Sequence, residues 1–224
     1  MELWADGHPG SSVIGVAMAV SVKNIVFDMG NVLMRFDGRR FARIFTDTPE
    51  DAELLYGALF GAPIWVLLDS GTVTHETVER VAAAHLPERL HLNLRACMAH
   101  WPEHSLPIQE TNDLAIRLKR SGYGVYLLSN ASTHVMDQLS HMPAMPYLDG
   151  CAISGIERLM KPDPAIYRLL CERYGLDPTE CLFVDDLEDN CEGARVAGMQ
   201  AFRFTGDVAA LQARVTEVGA FPLR

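Results

Sequence analysis

Residues 24–33 read Asn-Ile-Val-Phe-Asp-Met-Gly-Asn-Val-Leu, an apolar run of branched and aromatic side chains stopped by Asp28. A run of this length reads as a strand buried on both faces that delivers a carboxylate at its end. The pattern recurs. Val125 to Leu128 stops at Ser129 and Asn130, Leu182 to Val184 stops at Asp185 and Asp186, and Ala201 to Phe204 offers a further strand. Helical stretches separate these runs. Ile108 to Lys119 carries Leu114, Ala115 and Leu118 and ends in basic residues before Gly122. Asp163-Pro164 supplies a capping acid and a first-turn proline, and Asp207 caps a last helix. Strands alternating with helices predict an α/β fold with a parallel sheet.

The stretch from 36 to 107 is different in kind, with helical patterning and no convincing strand. Leu90, Leu94, Cys97, Met98 and Trp101 fall at i, i+4, i+7, i+8 and i+11, one face of a helix. Gly61-Ala62-Pro63, Ser70-Gly71 and Leu86-Pro87 break it into about four elements. The expected organisation is therefore a sheet-bearing core, 18–35 with 108–224, interrupted by a helical insertion at 36–107. Residues 1–17 precede Met18 and are expected to be an extension outside the fold.

The chain has 224 residues, 49% of them hydrophobic and 21% charged, which is globular composition and excludes disorder, collagen and coiled coil. Its 29 acidic and 19 basic residues give a formal charge of −10, which disfavours nucleic acid and anionic membranes as partners. Cys97, Cys151, Cys171, Cys181 and Cys191 are odd in number and never closer than ten residues, so they form neither a disulfide framework nor a CxxC metal pair. They read as reduced, in a cytoplasmic protein. The apolar stretch Val13 to Val22 lacks the basic segment of a signal peptide and is too short to span a bilayer.

In open parallel sheets, ligands bind beyond the carboxyl ends of the strands. Asp28, Ser129 with Asn130, and Asp185 with Asp186 all occupy such ends, and Lys161 lies on a loop between the last two. His100 and His104 are four apart, but Pro102 interrupts them and no acidic partner pattern accompanies them, so they are not expected to bind metal. Trp65 and Trp101 read as interior residues of the insertion.

The segments IVFDMGNVL, LLSN, MKPDPAIY and FVDDLEDN, in that order, resemble the four motifs of the haloacid dehalogenase-like hydrolase superfamily across residues 24 to 205. The resemblance implies a Rossmann-like core with a helical cap inserted after the first motif. It implies Asp28 as nucleophile and Asp185 with Asp186 as magnesium ligands. The chemistry agrees: a carboxylate attacks an anionic phosphate ester only if metal and ammonium charge neutralise the field. Asp28, Asp186 and the Gly30 carbonyl suit magnesium, which prefers oxygen. Met29, Gly30, Ser129, Asn130 and Lys161 are expected at the phosphate, with Lys161 as the fixed positive charge. Asp189 and Asn190 read either as residues that orient the metal carboxylates or as a capped helix start. The cap is expected to choose the substrate and exclude water without taking part in phosphoryl transfer. The expected substrate is a small phosphorylated metabolite, hydrolysed by a monomer or homodimer.

One position departs from the family pattern. Family phosphatases carry a second aspartate two residues after the nucleophile, as general acid and base, and here that residue is Gly30. Three readings remain open. A phosphatase could act on esters that need little protonation; FDMGNVL with FVDD resembles a sugar-phosphatase branch that includes glucose 1-phosphate enzymes. A 2-haloacid dehalogenase dispenses with that acid, but leaves the pair Asp185 and Asp186 unexplained. A pseudo-phosphatase that only binds ligand has no need of Asp28 as a nucleophile.

Overall fold

The computed structural model describes residues 21–223; the expected extension 1–17 and nearly all of the Val13 to Val22 stretch lie outside them. Five parallel strands form the sheet: β1 (Asn24–Phe27), β4 (Gly124–Ser129), β5 (Gly150–Ile153), β6 (Cys181–Asp185) and β7 (Gln200–Arg203), in the order β5-β4-β1-β6-β7. β1 is central, so the polar ends of β4 and β6 flank Asp28 on either side. Side chains alternate between the two faces along each strand. Ile25, Phe27, Val125, Leu127, Leu182 and Val184 meet α6 (Gln109–Arg120), α7 (Val135–Leu139) and α11 (Val208–Val218). Val26, Tyr126, Leu128 and Phe183 face the other way, onto α9 (Pro164–Tyr174) and α10 (Glu188–Val196). Helices on both faces of a parallel sheet make the α/β, Rossmann-like architecture. The helix starts follow the sequence: Asp163 accepts from the Ala165 N–H, and Asp207 from that of Ala210. The edge strand β5 was not expected. Gly-Cys-Ala-Ile is short and carries one branched side chain, too weak a pattern to read.

Between β1 and α6 run α1 (Gly38–Ile44), α2 (Pro49–Ala58), α3 (Pro63–Asp69), α4 (His75–Ala84) and α5 (His91–His100). They enclose a separate apolar cluster that includes Phe41, Leu55, Trp65, Val78, Leu94 and Cys97. Among the described residues no single helix is long and apolar enough to cross a membrane; a bent pair, α2 with α3, passes that test only by length and composition, and its Leu55, Trp65 and Leu68 belong to this cluster. The insertion does contain a strand, contrary to the helical reading of 36–107. β2 (Met34–Arg35) pairs antiparallel with β3 (Leu106–Pro107), Met34 opposite Pro107 and Arg35 opposite Leu106. Two residues each, one of them proline, leave no alternation to detect.

This ribbon joins the two chain crossings between the sheet and the insertion. The Ile108 N–H donates to the Leu33 carbonyl at 2.8 Å. Buried Asn112 donates to the carbonyls of Leu33 (2.8 Å) and Ile108 (2.9 Å) and accepts from the Ala144 N–H (3.0 Å). Its neighbour Thr111 is equally buried, but its hydroxyl has no hydrogen-bond partner among the described residues. Leaving buried groups unpaired costs about 1–3 kcal/mol each. Asn112→Ala, which leaves the Ala144 N–H unpaired and strips one of two donors from each of the Leu33 and Ile108 carbonyls, is expected to destabilise by roughly 2 kcal/mol, and Thr111→Val to stabilise by about 1 kcal/mol. Urea denaturation midpoints that move in opposite directions for the two variants are the expected result.

Candidate active site

Three strand ends and one loop converge on Lys161. Its Nζ lies 2.6 Å from Asp28 Oδ1 and 2.6 Å from Asp185 Oδ2, and the three residues are 2%, 7% and 0% exposed. β1 and β6 are adjacent, so parallel pairing alone brings the two acids side by side. The lysine is held by Asn130 at the end of β4, whose carboxamide accepts from the Lys161 N–H and donates to the Lys161 carbonyl, both at 2.9 Å. Asn130 was expected at the phosphate; it lines the cavity, and both ends of its side chain hold the lysine backbone.

The two fourth-motif acids divide the work. Both oxygens of Asp185 are occupied: Oδ1 accepts from the Leu187 N–H at 2.8 Å, Oδ2 takes the lysine, and Asn190 donates to both. Asp186 is half-buried and accepts from Asn31 Nδ2 at 3.3 Å. One oxygen from each of Asp28, Asp185 and Asp186 lies within 4.8 Å of the others. Such an all-oxygen set suits magnesium. Asn190 faces this group, while Asp189, one residue earlier on α10, is exposed and has no contact with it. Successive residues on a helix point about 100° apart, so only one of the pair can reach inward. Nor does Asp189 cap the helix, whose N-cap is Leu187.

Electrostatics follows burial. Burial pushes the Asp28 carboxyl up to about 7, against the pull of the Lys161 ammonium. For Lys161 burial opposes the charge, but Asp28 and Asp185 outweigh it and hold the ammonium above its ordinary range. Asp186 is raised by burial, with Asn31 pulling it back.

A cavity of about 270 Å³ opens above these groups, between sheet and insertion. Met29, Gly30, Ser129 and Asn130 line its floor, and Met34, Phe36, Trp65 and Trp101 its apolar wall. Trp65 and Trp101 therefore serve both as packing for the helical cluster, with ring centroids 5.7 Å apart, and as cavity surface. The Met29 N–H is offered to the Asp28 carboxylate, and that of Ala131 is taken by Ser154 Oγ at 2.9 Å. At Gly30 the backbone is not left-handed, and a Cβ would meet only Asp28 Oδ2, at 3.7 Å. Nothing steric demands the glycine. His100 pairs with Glu103 at 2.8 Å, an acidic partner the sequence reading overlooked, and belongs to no metal cluster among the described residues.

Two contributors were missed in the sequence. Asn31 sits inside the first motif at φ 54°, a conformation Asn tolerates better than most residues, and that tolerance was its available signal. Asp69 enters the cavity from the end of α3. An acid in the last turn opposes the helix dipole, which marks it as unusual.

The family described as haloacid dehalogenase-like hydrolase matches residues 22–198. A phosphatase of Mycobacterium tuberculosis is 27% identical over 82% of this chain and 87% of its own length. The (S)-2-haloacid dehalogenase 4A of Burkholderia cepacia is 29% identical over 53% of this chain and 51% of its own. Among solved structures, a family enzyme of Bacteroides thetaiotaomicron in complex with magnesium and inorganic phosphate superposes with a TM-score of 0.64, at 22% identity over 83% of this chain and 96% of that one. With the order of motifs, the parallel sheet and a match across well over half its length in agreement, the chain belongs to the haloacid dehalogenase-like hydrolase family.

Proposed function

We propose that the protein is a magnesium-dependent phosphatase that hydrolyses small phosphate monoesters through an aspartyl-phosphate on Asp28. The observation that carries this reading is the convergence of Asp28, Asp186 and Lys161 at the floor of one cavity. Asp28 Oδ attacks phosphorus, the ester P–O bond breaks, and water then hydrolyses the acyl phosphate. Lys161 fixes a positive charge beside the attacking oxygen and the transferring phosphoryl group. Ser129 and the Gly30 backbone hold phosphate oxygens. Asp185, occupied by Lys161, Asn190 and the Leu187 N–H, keeps the lysine charged and aimed. Asp28, Asp186 and the Gly30 carbonyl hold magnesium, with Asp185 alongside; bound there, the ion neutralises charge on the ester.

Two further observations support this reading. A structural relative was solved with magnesium and inorganic phosphate, and a sequence relative is named a phosphatase. Dehalogenation would use Asp28 and Lys161 but would leave Asp186, turned into the same cluster, without a task. For the substrate, Ser105, Ser132 and Gln138 offer hydroxyl and amide groups that suit a sugar phosphate, while Met34, Phe36, Trp65 and Trp101 give the rest of the wall an apolar character. The cap chooses among such esters, in the cytoplasm, as a monomer or homodimer.

Asp28→Asn keeps the size of the side chain and removes the nucleophile, so phosphate release from p-nitrophenyl phosphate is expected to fall by about 10³-fold or more with the circular dichroism spectrum unchanged. A variant that keeps the parent rate sinks the covalent route. Chelation of divalent cations is expected to abolish turnover, and Asp186→Asn to raise the magnesium concentration for half-maximal rate by roughly 10-fold or more. A parent equally active in excess chelator removes the metal from the reading.

A further inference from the structure

We propose that Asp69, carried by the cap, is the proton donor to the leaving oxygen and takes the place of the acid that Gly30 cannot supply. This rests on the phosphatase reading and departs from the expectation that cap residues stay out of phosphoryl transfer.

The placement is built, not incidental. The Asp69 carbonyl accepts from Ser154 Oγ, and its carboxyl is offered the Ser132 N–H. Both donors belong to the core, Ser132 three residues beyond Ser129 on the cavity floor and Ser154 at the start of α8 (Ser154–Glu157). Two residues after Asp69, Gly71 at φ +71° lies so close to the core that a Cβ would fall 2.5 Å from the Gly155 carbonyl oxygen. The end of α3 is therefore seated directly on the segments that follow β4 and β5.

Direction of attack then selects the donor. Asp28 reaches phosphorus from the core, and in-line displacement sends the leaving oxygen to the opposite side, toward the cap. Of the three acids lining the cavity, Asp28 attacks, Asp186 faces the metal cluster, and Asp69 alone comes from the cap. Burial, opposed by the Ser132 N–H, pushes its carboxyl up to about 7, so the protonated form persists toward neutral pH. The other titratable groups facing this region are His75 on α4, stacked on His134 with ring centroids 3.6 Å apart, and Arg35, Asp28, Lys161 and Asp186 around the cavity. Burial, then His134, holds His75 below its ordinary range, so His75 is a poor source of protons, and His134, which lines the cavity, is the competing donor that a variant must test.

In the first step Asp28 Oδ bonds to phosphorus, the electron pair of the broken P–O bond goes to the leaving oxygen, and the Asp69 proton joins it to give the alcohol. In the second, the Asp69 carboxylate takes a proton from the attacking water, the acyl phosphate bond breaks, and its electron pair returns to Asp28. Asp69 ends protonated and phosphate departs.

First-turnover release of the leaving group separates this role from packing. With magnesium present, Asp69→Asn is expected to slow release of a simple alkyl alcohol by about 10²-fold, yet to change release of p-nitrophenol less than roughly 3-fold, because protonation matters only where charge builds on the departing oxygen. In the parent, the ratio of alkyl to aryl rates is expected to fall as pH rises through about 7, where Asp69 loses its proton. The ratio cancels titrations common to both esters, and it tests the assignment even if the variant folds poorly. Equal losses for both esters, a flat ratio, or the same leaving-group signature in His134→Gln overturns the assignment of Asp69. A parent inactive on both esters, with Asp28→Asn no different, overturns the phosphatase reading itself.

Discussion

A lysine ammonium with almost no access to water, held between two carboxylates from neighbouring strands, is the constraint around which the rest of the site is arranged. Unpaired, any one of these charges would be prohibitive to bury, and removing one partner from a buried pair typically costs about 3–5 kcal/mol. Asn130 therefore fixes the lysine main chain, and Asn190 with the Leu187 N–H fills the remaining oxygen positions of Asp185. The order of the sheet supplies the rest: with β1 in the middle, acids at the ends of β1 and β6 cannot avoid one another. Repulsion between them is what gives the lysine its value.

The core was readable because parallel strands buried on both faces leave short apolar runs, and their polar stops are conspicuous. Asp28, Ser129, Asp185 and Asp186 all emerged that way, and Lys161 from the loop motif between the last two strand ends. The failures have equally physical causes. Asp189 and Asn190 are adjacent letters, but a helix turns them to different surroundings, and sequence alone does not say which faces in. Asn130 sits at a strand end like the others, yet its partner is a backbone 31 residues away. Asp69 lies on another element altogether, and only the packing of insertion on core brings it to the same cavity as Asp28.

The aromatic wall has a related double character. Phe36, Trp65 and Trp101 of the cavity wall contact one another and the interior rings Phe41 and Phe60 at centroid distances of 4.7 to 6.2 Å, so the rings that shape the cavity also hold the helical cluster together. Reading a tryptophan as either interior or binding surface sets up a false choice in a domain this small. Changes that reshape the cavity through these rings also alter the stability of the insertion.

The two-residue ribbon between β2 and β3 sets how the chain can diversify. Its paired strands bring the ends of a long excursion side by side, so the sheet sees the same short gap whatever lies beyond it. Loop-closure entropy grows only slowly with length, and the excursion has an apolar interior of its own. The helical unit is thus separable in its folding terms: a longer or shorter excursion can close on the same ribbon while the charge trio beneath stays in register.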